Sequence, residues 1–442
     1  MRVTSVLAFP VVAGLLSAMG MNVVDAVIAG RHGAMTLASV AMGTAVWSVV
    51  VLVLIGVLMA LPPFVAQLNG RQRRGEIGVL FRQALWLALA MGVVLMVLVR
   101  QGGLLLDVMG VAEDVRPGAV AFLRGISWGA PALALFFCFR YLSEGVSWTV
   151  PTMVMGIAGL LALVPIGYAL AFGRWGMPEL GAAGLGYATA VVLWGQALGF
   201  AAYLSRARRY ADLGLFERFD PPRWAPIRDL LRVGVPMGVM VFMEGSLFVA
   251  TALVIGRLGT TAIASHQIAL NVASVAFMVP LGVAMATTVR VGHAVGAGDA
   301  PAVRWSAASG YAIAILAQVV SAAVMVVGGT WIANLYTTDA EVVALAGTLL
   351  LFAAAFQLVD GVQAMSAGAL RGLKDARVPM LLAGVSYWGV GMPVGVWLSL
   401  GLGWGAQGMW TGLIFGLSVA AVLLSLRFVR LARNPPGIPV VA

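Results

Sequence analysis

Apolar stretches of membrane-spanning length recur along the whole chain, and short segments rich in Gly, Pro and Arg separate them. A helix that crosses a bilayer needs about 20 mostly apolar residues. The pattern predicts twelve such helices. They are expected at residues 5–30, 36–68, 78–100, 119–140, 152–173, 183–206, 228–256, 262–292, 303–327, 341–369, 379–400 and 407–430. The second and eighth exceed the bilayer thickness, so we expect them to tilt or to protrude.

The longest polar stretch, residues 206–232, separates the sixth predicted helix from the seventh. We therefore expect an all-α polytopic membrane protein with two pseudo-symmetric six-helix bundles around a central cleft. The expected division is an N-terminal bundle at 1–206, a cytoplasmic linker at 207–227, a C-terminal bundle at 228–430 and a cytoplasmic tail at 431–442.

The second half of the chain repeats short motifs of the first. Gly30–Gly33 (GRHG) matches Gly256–Gly259 (GRLG), and the same near-constant offset relates Pro165 to Pro393. Such a match indicates duplication, although chance agreement is the alternative in a chain with 55 glycines. Two parallel six-helix repeats are expected to be related by an axis along the membrane normal.

Composition supports a membrane protein and explains the net charge. Hydrophobic residues make up 61% of the chain and charged residues 10%, with a mean hydropathy of +0.99, whereas about a quarter of a soluble domain is charged. Of the 27 basic residues, 21 fall at loop ends on one side of the predicted membrane. Because Arg and Lys collect in cytoplasmic loops, both termini are expected in the cytoplasm. The charge of +10 then reflects topology and not nucleic-acid binding.

The residue types that most enzymes require are scarce. Cys138 is the single cysteine, and the three histidines, His32, His266 and His293, show no metal-ligand spacing. An intramembrane enzyme would need a metal cluster or a nucleophile with its base. The glycine-rich GHAVGAGD lacks the GK[ST] ending of a phosphate-binding loop. We expect no cofactor, no ATP and no enzymatic activity.

Three acidic residues lie away from the ends of predicted membrane spans, namely Asp25, Glu244 and Asp360. A carboxylate at the bilayer centre costs about 2.5–3.5 kcal/mol on insertion scales, and no Arg or Lys lies in the central part of these spans. An unpaired buried carboxylate tends to hold a proton or to recruit a cation. We expect these acids to be cation-coupling or substrate residues, while a protonated acid that only joins two helices is the structural alternative.

The acids occupy positions at which the two halves differ, as expected for a lopsided binding site. At the repeat offset they align with Thr251, Ala18 and Ala132. Polar companions on plausible inner faces are Asn22, Gln267, Asn271, Gln357 and Gln363. Each of these alone is more often a helix–helix hydrogen bond than a ligand contact.

Several motifs resemble the multidrug and toxic compound extrusion (MATE) transporters. They are VDAVIAG in the first helix, FMEGSLF in the seventh, LVDGVQ in the tenth, IASHQIALNVASVAFMVPLGVAMATTVRVGHAVGAG and ALRGLKDARVPM. The Glu of the seventh helix points to the NorM-like branch. The resemblance covers essentially the whole chain.

The resemblance implies export of organic, mostly cationic, compounds in exchange for Na⁺ or H⁺. Glu244 and Asp360 would form the cation site, with Na⁺ as one candidate, and Asp25 would be the acidic centre of the N-terminal half. The sequence departs from relatives at two places. Leu163 and Gly167 lie where relatives often carry Asn, and Phe356, a further chamber candidate, lies where some relatives have Tyr.

We expect alternating access in which an entering cation neutralises the acids and displaces the drug. Pro165 and Pro393 are candidate bend points, with plain helix architecture as the equal alternative. The expected partners are small organic cations, Na⁺ or H⁺ and the lipid bilayer, for a monomer in the cell inner membrane. A lipid-linked oligosaccharide flippase is a second transporter hypothesis. Such a protein would need several basic residues inside the chamber to bind a pyrophosphate, and the sequence does not indicate them.

Other polar residues have structural interpretations. His266 is expected to be a hydrogen-bonded structural histidine, with a proton-pathway role as the alternative. Glu144 and Asp375 occupy corresponding cytoplasmic loops, and Arg140 and Arg371 are their candidate partners.

Overall fold

The computed structural model describes residues 1–108 and 111–436, and the regular structure of that part is entirely helical. Eleven helices are long and apolar enough to cross a membrane, and a bent helix pair makes a twelfth span. In chain order they are α1 Arg2–His32, α2 Ala34–Gly70, α3 Arg74–Arg100, α4 Arg116–Ser127 with Ala130–Gly145, α5 Val150–Phe172, α6 Gly181–Arg206, α7 Trp224–Gly256, α8 Thr260–Ala297, α9 Ala300–Asn334, α10 Ala340–Gly372, α11 Arg377–Gly401 and α12 Gly405–Arg433. The predicted all-helical, polytopic architecture is confirmed, and the number of spans reaches the predicted twelve when the bent pair is counted as one.

Two spans are interrupted where proline removes a backbone donor. In α2 the helix breaks after Leu58, and Pro62 and Pro63 begin the second segment. Between its two segments α4 bends by 48°, and the second segment again has a proline in its first turn. Proline is tolerated at these positions because the first N–H groups of a helix have no partner within the helix.

The ninth span is longer than the apolar pattern predicts, with 35 residues at Ala300–Asn334. Its start is fixed by Asp299, whose carboxylate accepts a hydrogen bond from the Ala302 backbone N–H at 2.8 Å. An N-cap of this kind satisfies one of the free donors of the first turn. The helix therefore begins outside the apolar run.

Helices α5 and α11 occupy matching places in the repeat but differ in regularity. Pro165 lies inside an uninterrupted α-helix. Around Pro393, by contrast, α11 contains two π-helical stretches, Val385–Gly391 and Trp397–Gly401. Such wide turns are often found at functional sites. Of these two matched prolines, Pro393 lies beside π-helical distortions, whereas Pro165 lies in a regular helix.

The repeated glycines have a shared structural reason. Gly181 and Gly405 begin α6 and α12 with φ values of 52° and 61°, which favour glycine. One turn later, a Cβ at Gly184 would lie 2.3 Å from the Leu170 carbonyl oxygen, and one at Gly408 would lie 2.5 Å from the backbone nitrogen of Ser399. Each pair of helices approaches closely at the same place in the two halves.

The contacts divide the chain into two compact units. One unit contains residues 13–238, and the other contains residues 1–12 and 239–442. In the first unit α6 packs against α4 and α5, and in the second α10 packs against α8, α9 and α12. Small residues permit this packing, because a Cβ at Gly368 would lie 2.7 Å from the Ala284 carbonyl oxygen.

The segment between α6 and α7 is attached to α3 by hydrogen bonds. Arg82 donates to the Asp220 carboxylate at 2.7 Å, and Trp86 donates to the Asp220 carbonyl oxygen at 2.9 Å. Gln83 donates to the Pro221 carbonyl oxygen at 3.0 Å. The segment is therefore fixed to the helix, although it contains only one short 3₁₀ turn, at Arg208–Leu213.

The Asp220 contact makes this attachment sensitive to acid. The hydrogen bond from Arg82, together with the guanidinium charge, holds the pKa of Asp220 below its usual 3.8. A carboxyl whose pKa is depressed by folding stabilises the folded arrangement above its unfolded pKa, and the gain is lost as the pH falls through the folded pKa. Hydrogen exchange of residues 213–223, corrected for intrinsic rates, should therefore stay slow at pH 5 and rise below about pH 3.8.

Asp220→Asn should loosen the segment at neutral pH as well, and trypsin should cleave after Arg218 and Arg223 several-fold faster. Glu217→Gln is the matched control, since Glu217 is an exposed acid of the same segment. Equal cleavage of Asp220→Asn and the parent protein would contradict the assignment.

Candidate functional site

Glu244 lies near the middle of α7, where α11 packs closely against it. The Trp388 indole N–H donates to the carbonyl oxygen of Met243, the preceding residue, at 3.2 Å. Gly384 allows the approach, because a Cβ there would lie 2.4 Å from the terminal methyl carbon of Met243. Glu244 itself is half-buried. The packing of α11 against Met243 thus fixes the part of α7 that carries Glu244.

Asp360 lies on α10 and is only 3% exposed. Gln318 of α9 donates to the backbone and side-chain oxygens of Gln357 at 2.8 and 2.7 Å, and the Gln357 amide donates to the Ala273 carbonyl oxygen of α8 at 2.7 Å. A Cβ at Gly361 would lie 2.7 Å from Gln318. Gln357 therefore joins three helices one turn before Asp360.

The structure brings Glu244 and Asp360 within electrostatic range of each other. Neither forms an ion pair within 4.0 Å among residues 1–108 and 111–436. One carboxylate oxygen of Asp360, Oδ1, is buried without a hydrogen-bond partner in this part of the chain. Two neighbouring carboxylates in a low-dielectric site favour uptake of a proton or a cation, which relieves their repulsion.

The sequence placed no positive residue in the central part of these spans, and the structure modifies that expectation. Arg371, at the end of α10, lies within electrostatic range of Glu244. The acid pair is thus influenced by a positive charge from one end of α10.

Tyr387 belongs to this cluster, and sequence reasoning missed it. The side chain is fully buried on the π-helical part of α11 and lies within electrostatic range of both acids. Its hydroxyl oxygen accepts a hydrogen bond from the Gln363 amide at 2.6 Å. Gln363 thus acts as the orienting partner of this phenol. The sequence did contain a signal for this residue, because Tyr387 is a polar aromatic residue among glycines in an apolar span.

The other chamber candidates of this half are less closely tied to the acids. Phe356 packs against Phe248 and Trp410, with ring centroids 6.0 and 5.7 Å apart. Gln267 is exposed and Asn271 half-buried. No hydrogen bond joins either of them to a carboxylate in the described part of the chain. Their roles stay predictions.

The expectation of a hydrogen-bonded His266 is wrong for the described residues. The ring is buried, and its centroid lies 5.9 Å from that of Trp410. Neither ring nitrogen has a hydrogen-bond partner in the part of the chain that the structure covers. His266 therefore packs as an aromatic ring.

In the first unit Asp25 forms a separate, smaller site. It is 6% exposed, and its Oδ2 accepts a hydrogen bond from the Thr189 hydroxyl of α6 at 3.1 Å, while Oδ1 has no partner among the described residues. Asn22, the predicted companion, is exposed. Sequence reasoning missed Thr189, since nothing in the spacing relates α1 to α6.

Leu163 and Gly167 shape the apolar surroundings of this part of the unit. Leu163 is fully buried in an apolar cluster with Ala188 and Val192. A Cβ at Gly167 would lie 3.2 Å from Ile28 of α1. The positions where relatives often carry Asn are therefore occupied here by an apolar side chain and by a close helix contact.

Two further acids form ion pairs at helix ends. Glu144 accepts from Arg140 at 2.7 Å, and both side chains are buried. This pair was expected, although it lies on α4 and not in a loop. Asp375 pairs with Arg427 of α12 at 2.8 Å, a partner that the sequence did not indicate, and the expected pairing with Arg371 stays a prediction. The sequence could not show that α12 approaches this loop.

Comparisons with known proteins agree on one family. The MatE family model matches residues 10–169 and 236–397. The chain is 55% identical to the probable multidrug resistance protein NorM of Xanthomonas axonopodis pv. citri, over 98% of this chain and 94% of that relative. It is 42% identical to the multidrug resistance protein PmpM of Pseudomonas aeruginosa, over 97% of this chain and 91% of that relative.

A solved structure gives the same fold. The crystal structure of the eukaryotic MATE transporter AtDTX14 superimposes with a TM-score of 0.87 at 20% identity, covering 98% of this chain and 97% of that one. The alternative of an intramembrane enzyme is therefore not retained. On the matched segments and the level of identity to its relatives, the chain belongs to the MATE family of multidrug and toxic compound extrusion transporters.

Proposed function

We propose that this protein exports organic, mostly cationic, compounds in exchange for Na⁺ or H⁺. The observation that carries the proposal is the pair of unneutralised acids, Glu244 and Asp360, with Tyr387 beside them. The relatives named as multidrug resistance proteins support the substrate class. Their bacterial sources support the cell inner membrane as the location, and the excess of Arg and Lys on one side of the membrane supports cytoplasmic termini.

The coupling follows from competition for negative charge. A monovalent cation that enters down its gradient is attracted by Glu244 and Asp360 and reduces their net negative charge. A cationic drug is then held less strongly and leaves. When the cation departs on the other side of the membrane, the acids again favour a positive ligand. One charge crossing 100 mV supplies about 2.3 kcal/mol, which is enough to bias such an exchange.

The side chains around the acids have distinct parts in this proposal. Gln357 holds α10 in register with α8 and α9, so the position of Asp360 does not depend on the bound ligand. Gln363 orients the Tyr387 hydroxyl, which offers an oxygen ligand to a cation. This hydroxyl compensates for Phe356, which has no oxygen one turn before Asp360.

The proposal is tested with the purified protein in proteoliposomes. A fluorescent organic cation is followed under an imposed Na⁺ gradient alone and under a pH gradient alone. We expect at least one gradient to drive its transport. In Glu244→Gln and Asp360→Asn the driven rate should fall to about a tenth or less, because a charged ligand contact is worth roughly 1.5–3 kcal/mol.

Glu179→Gln is the control, since Glu179 is an exposed acid between α5 and α6. It should transport at the parent rate. If both Glu244→Gln and Asp360→Asn transport normally, the coupling assignment is wrong. If neither gradient drives the parent protein, antiport itself is refuted.

Tyr387→Phe should weaken cation binding without abolishing transport. Loss of the hydroxyl removes one oxygen ligand, and we expect the half-saturating concentration of the driving cation to rise about tenfold. The maximal rate should change little, since both acids remain. Tyr336→Phe, an exposed tyrosine of the same unit, is the control.

The same substitution leaves the Gln363 amide buried without its acceptor, which lowers thermal stability. The double variant Tyr387→Phe/Gln363→Leu removes both partners and should recover stability but not cation affinity. If the half-saturating concentration stays at the parent value in both variants, Tyr387 is not a cation ligand.

Asp25 is proposed to act separately from the cation pair. Asp25→Asn should slow drug export, and Thr189→Val, which removes the one hydrogen bond to Asp25, should slow it less. The half-saturating concentration of the driving cation should stay unchanged in both, since Glu244 and Asp360 are intact. Unimpaired export by Asp25→Asn would remove Asp25 from the mechanism and leave the cation pair standing.

A further inference from the structure

A cavity of about 460 Å³ in the first unit lies outside the acidic sites. It is lined by α3, by the second segment of α4 and by the segment that joins α6 to α7. Most of its lining is apolar, and it includes Leu85, Leu89, Leu135, Phe216 and Phe219, with Arg218 at its edge. None of these residues belongs to the proposed transport machinery.

The aromatic walls of the cavity are fixed but open to the surroundings. Phe219 packs edge-on against Trp86 with centroids 5.7 Å apart, and Phe216 packs edge-on against Phe81 at 5.9 Å. Phe219 nevertheless remains 78% exposed. Exposed aromatic rings beside an apolar cavity indicate a surface that contacts apolar material.

Positive charge exceeds negative charge around Asp220, at the edge of the cavity. Asp220 accepts a hydrogen bond from Arg82 at 2.7 Å and forms an ion pair with Arg218 at 3.3 Å, and Arg223 also lies within electrostatic range of this carboxylate. Three guanidinium groups thus surround one carboxylate. Arg218 is 65% exposed, and Arg223 is exposed as well. The edge of the cavity therefore favours an anion.

The apolar lining and the basic edge of the cavity lie at different depths relative to the membrane spans. Leu89 and Leu135 lie within spans of the bilayer, whereas Arg218 and Arg223 lie in the segment between spans. Trp224, the first residue of α7, is 67% exposed, and exposed Trp is common at the membrane–water boundary. The cavity therefore has an apolar floor at membrane depth and a basic edge at the surface.

We propose that this cavity binds an anionic phospholipid. The phosphate group is held by Arg218 and Arg223, and one acyl chain lies between the leucines and the two phenylalanines. Basic residues directly beside a span attract anionic lipids, and the apolar floor separates this ligand from a free phosphate. The bound lipid links the segment after α6 to α3 and α4.

The test is lipid retention by the purified protein in detergent, measured by native mass spectrometry during titration with phosphatidylglycerol or phosphatidylcholine of equal chain length. We expect retention of phosphatidylglycerol in preference to phosphatidylcholine. In Arg218→Ala/Arg223→Ala its affinity should fall about 30-fold, since each surface arginine contributes about 1 kcal/mol. Phe219→Ala should weaken both lipids. Arg208→Ala, an exposed arginine outside the cavity, should change neither.

Further arms identify the ligand source and check folding. Inorganic phosphate at the same concentrations should not displace the lipid, and a fluorescent organic cation should not compete. Unchanged phosphatidylglycerol affinity in the double variant, equal retention of both lipids, or displacement by phosphate or by the cation would overturn the proposal. Parent-like elution of each variant in size-exclusion chromatography shows that the fold is intact. The readout is independent of transport, so failure here leaves the coupling assignment untouched.

Discussion

The cost of placing a carboxylate in a low-dielectric interior is the constraint on which the rest of this molecule depends. Asp360 is almost fully buried, lies within electrostatic range of Glu244, and has one oxygen without a hydrogen-bond donor among the described residues. A salt bridge would remove the cost but would also remove the capacity to exchange ligands. The acids therefore retain the capacity to take up a proton or a cation, which is the property that the proposed coupling site requires.

The surrounding helices hold the acids in place without satisfying them. The Gln357 amide donates a hydrogen bond to α8 and accepts one from α9. The helix that carries Asp360 is therefore held in place one turn away from the acid. On α11 a π-helical stretch presents Tyr387, and the adjacent Trp388 anchors the backbone just before Glu244. Gln357 and Trp388 thus hold helices in place, whereas the Tyr387 hydroxyl, oriented by Gln363, lies within electrostatic range of both Glu244 and Asp360.

The sequence predicted the twelve spans well because each is an apolar run of sufficient length, and it predicted the acids because a charge in such a run is conspicuous. It could not predict partners on distant helices. Three contacts depend on helix rotation and approach: Thr189 with Asp25, Tyr387 with the acidic pair, and Arg427 with Asp375. Helix ends were also missed where Asp299 caps α9, since a capping hydrogen bond is independent of hydropathy.

The two halves share a backbone plan but differ where chemistry is placed. Gly181 and Gly405 have the same positive φ, and the glycines one turn later allow the same close helix contact. Pro165, however, sits in a regular helix, whereas Pro393 is flanked by wide turns, and only the second half carries a pair of acids. Duplication therefore preserves the positions that backbone packing restricts to glycine. The acids are not under that backbone restriction, and under the proposed function a binding site that is needed once does not have to be repeated.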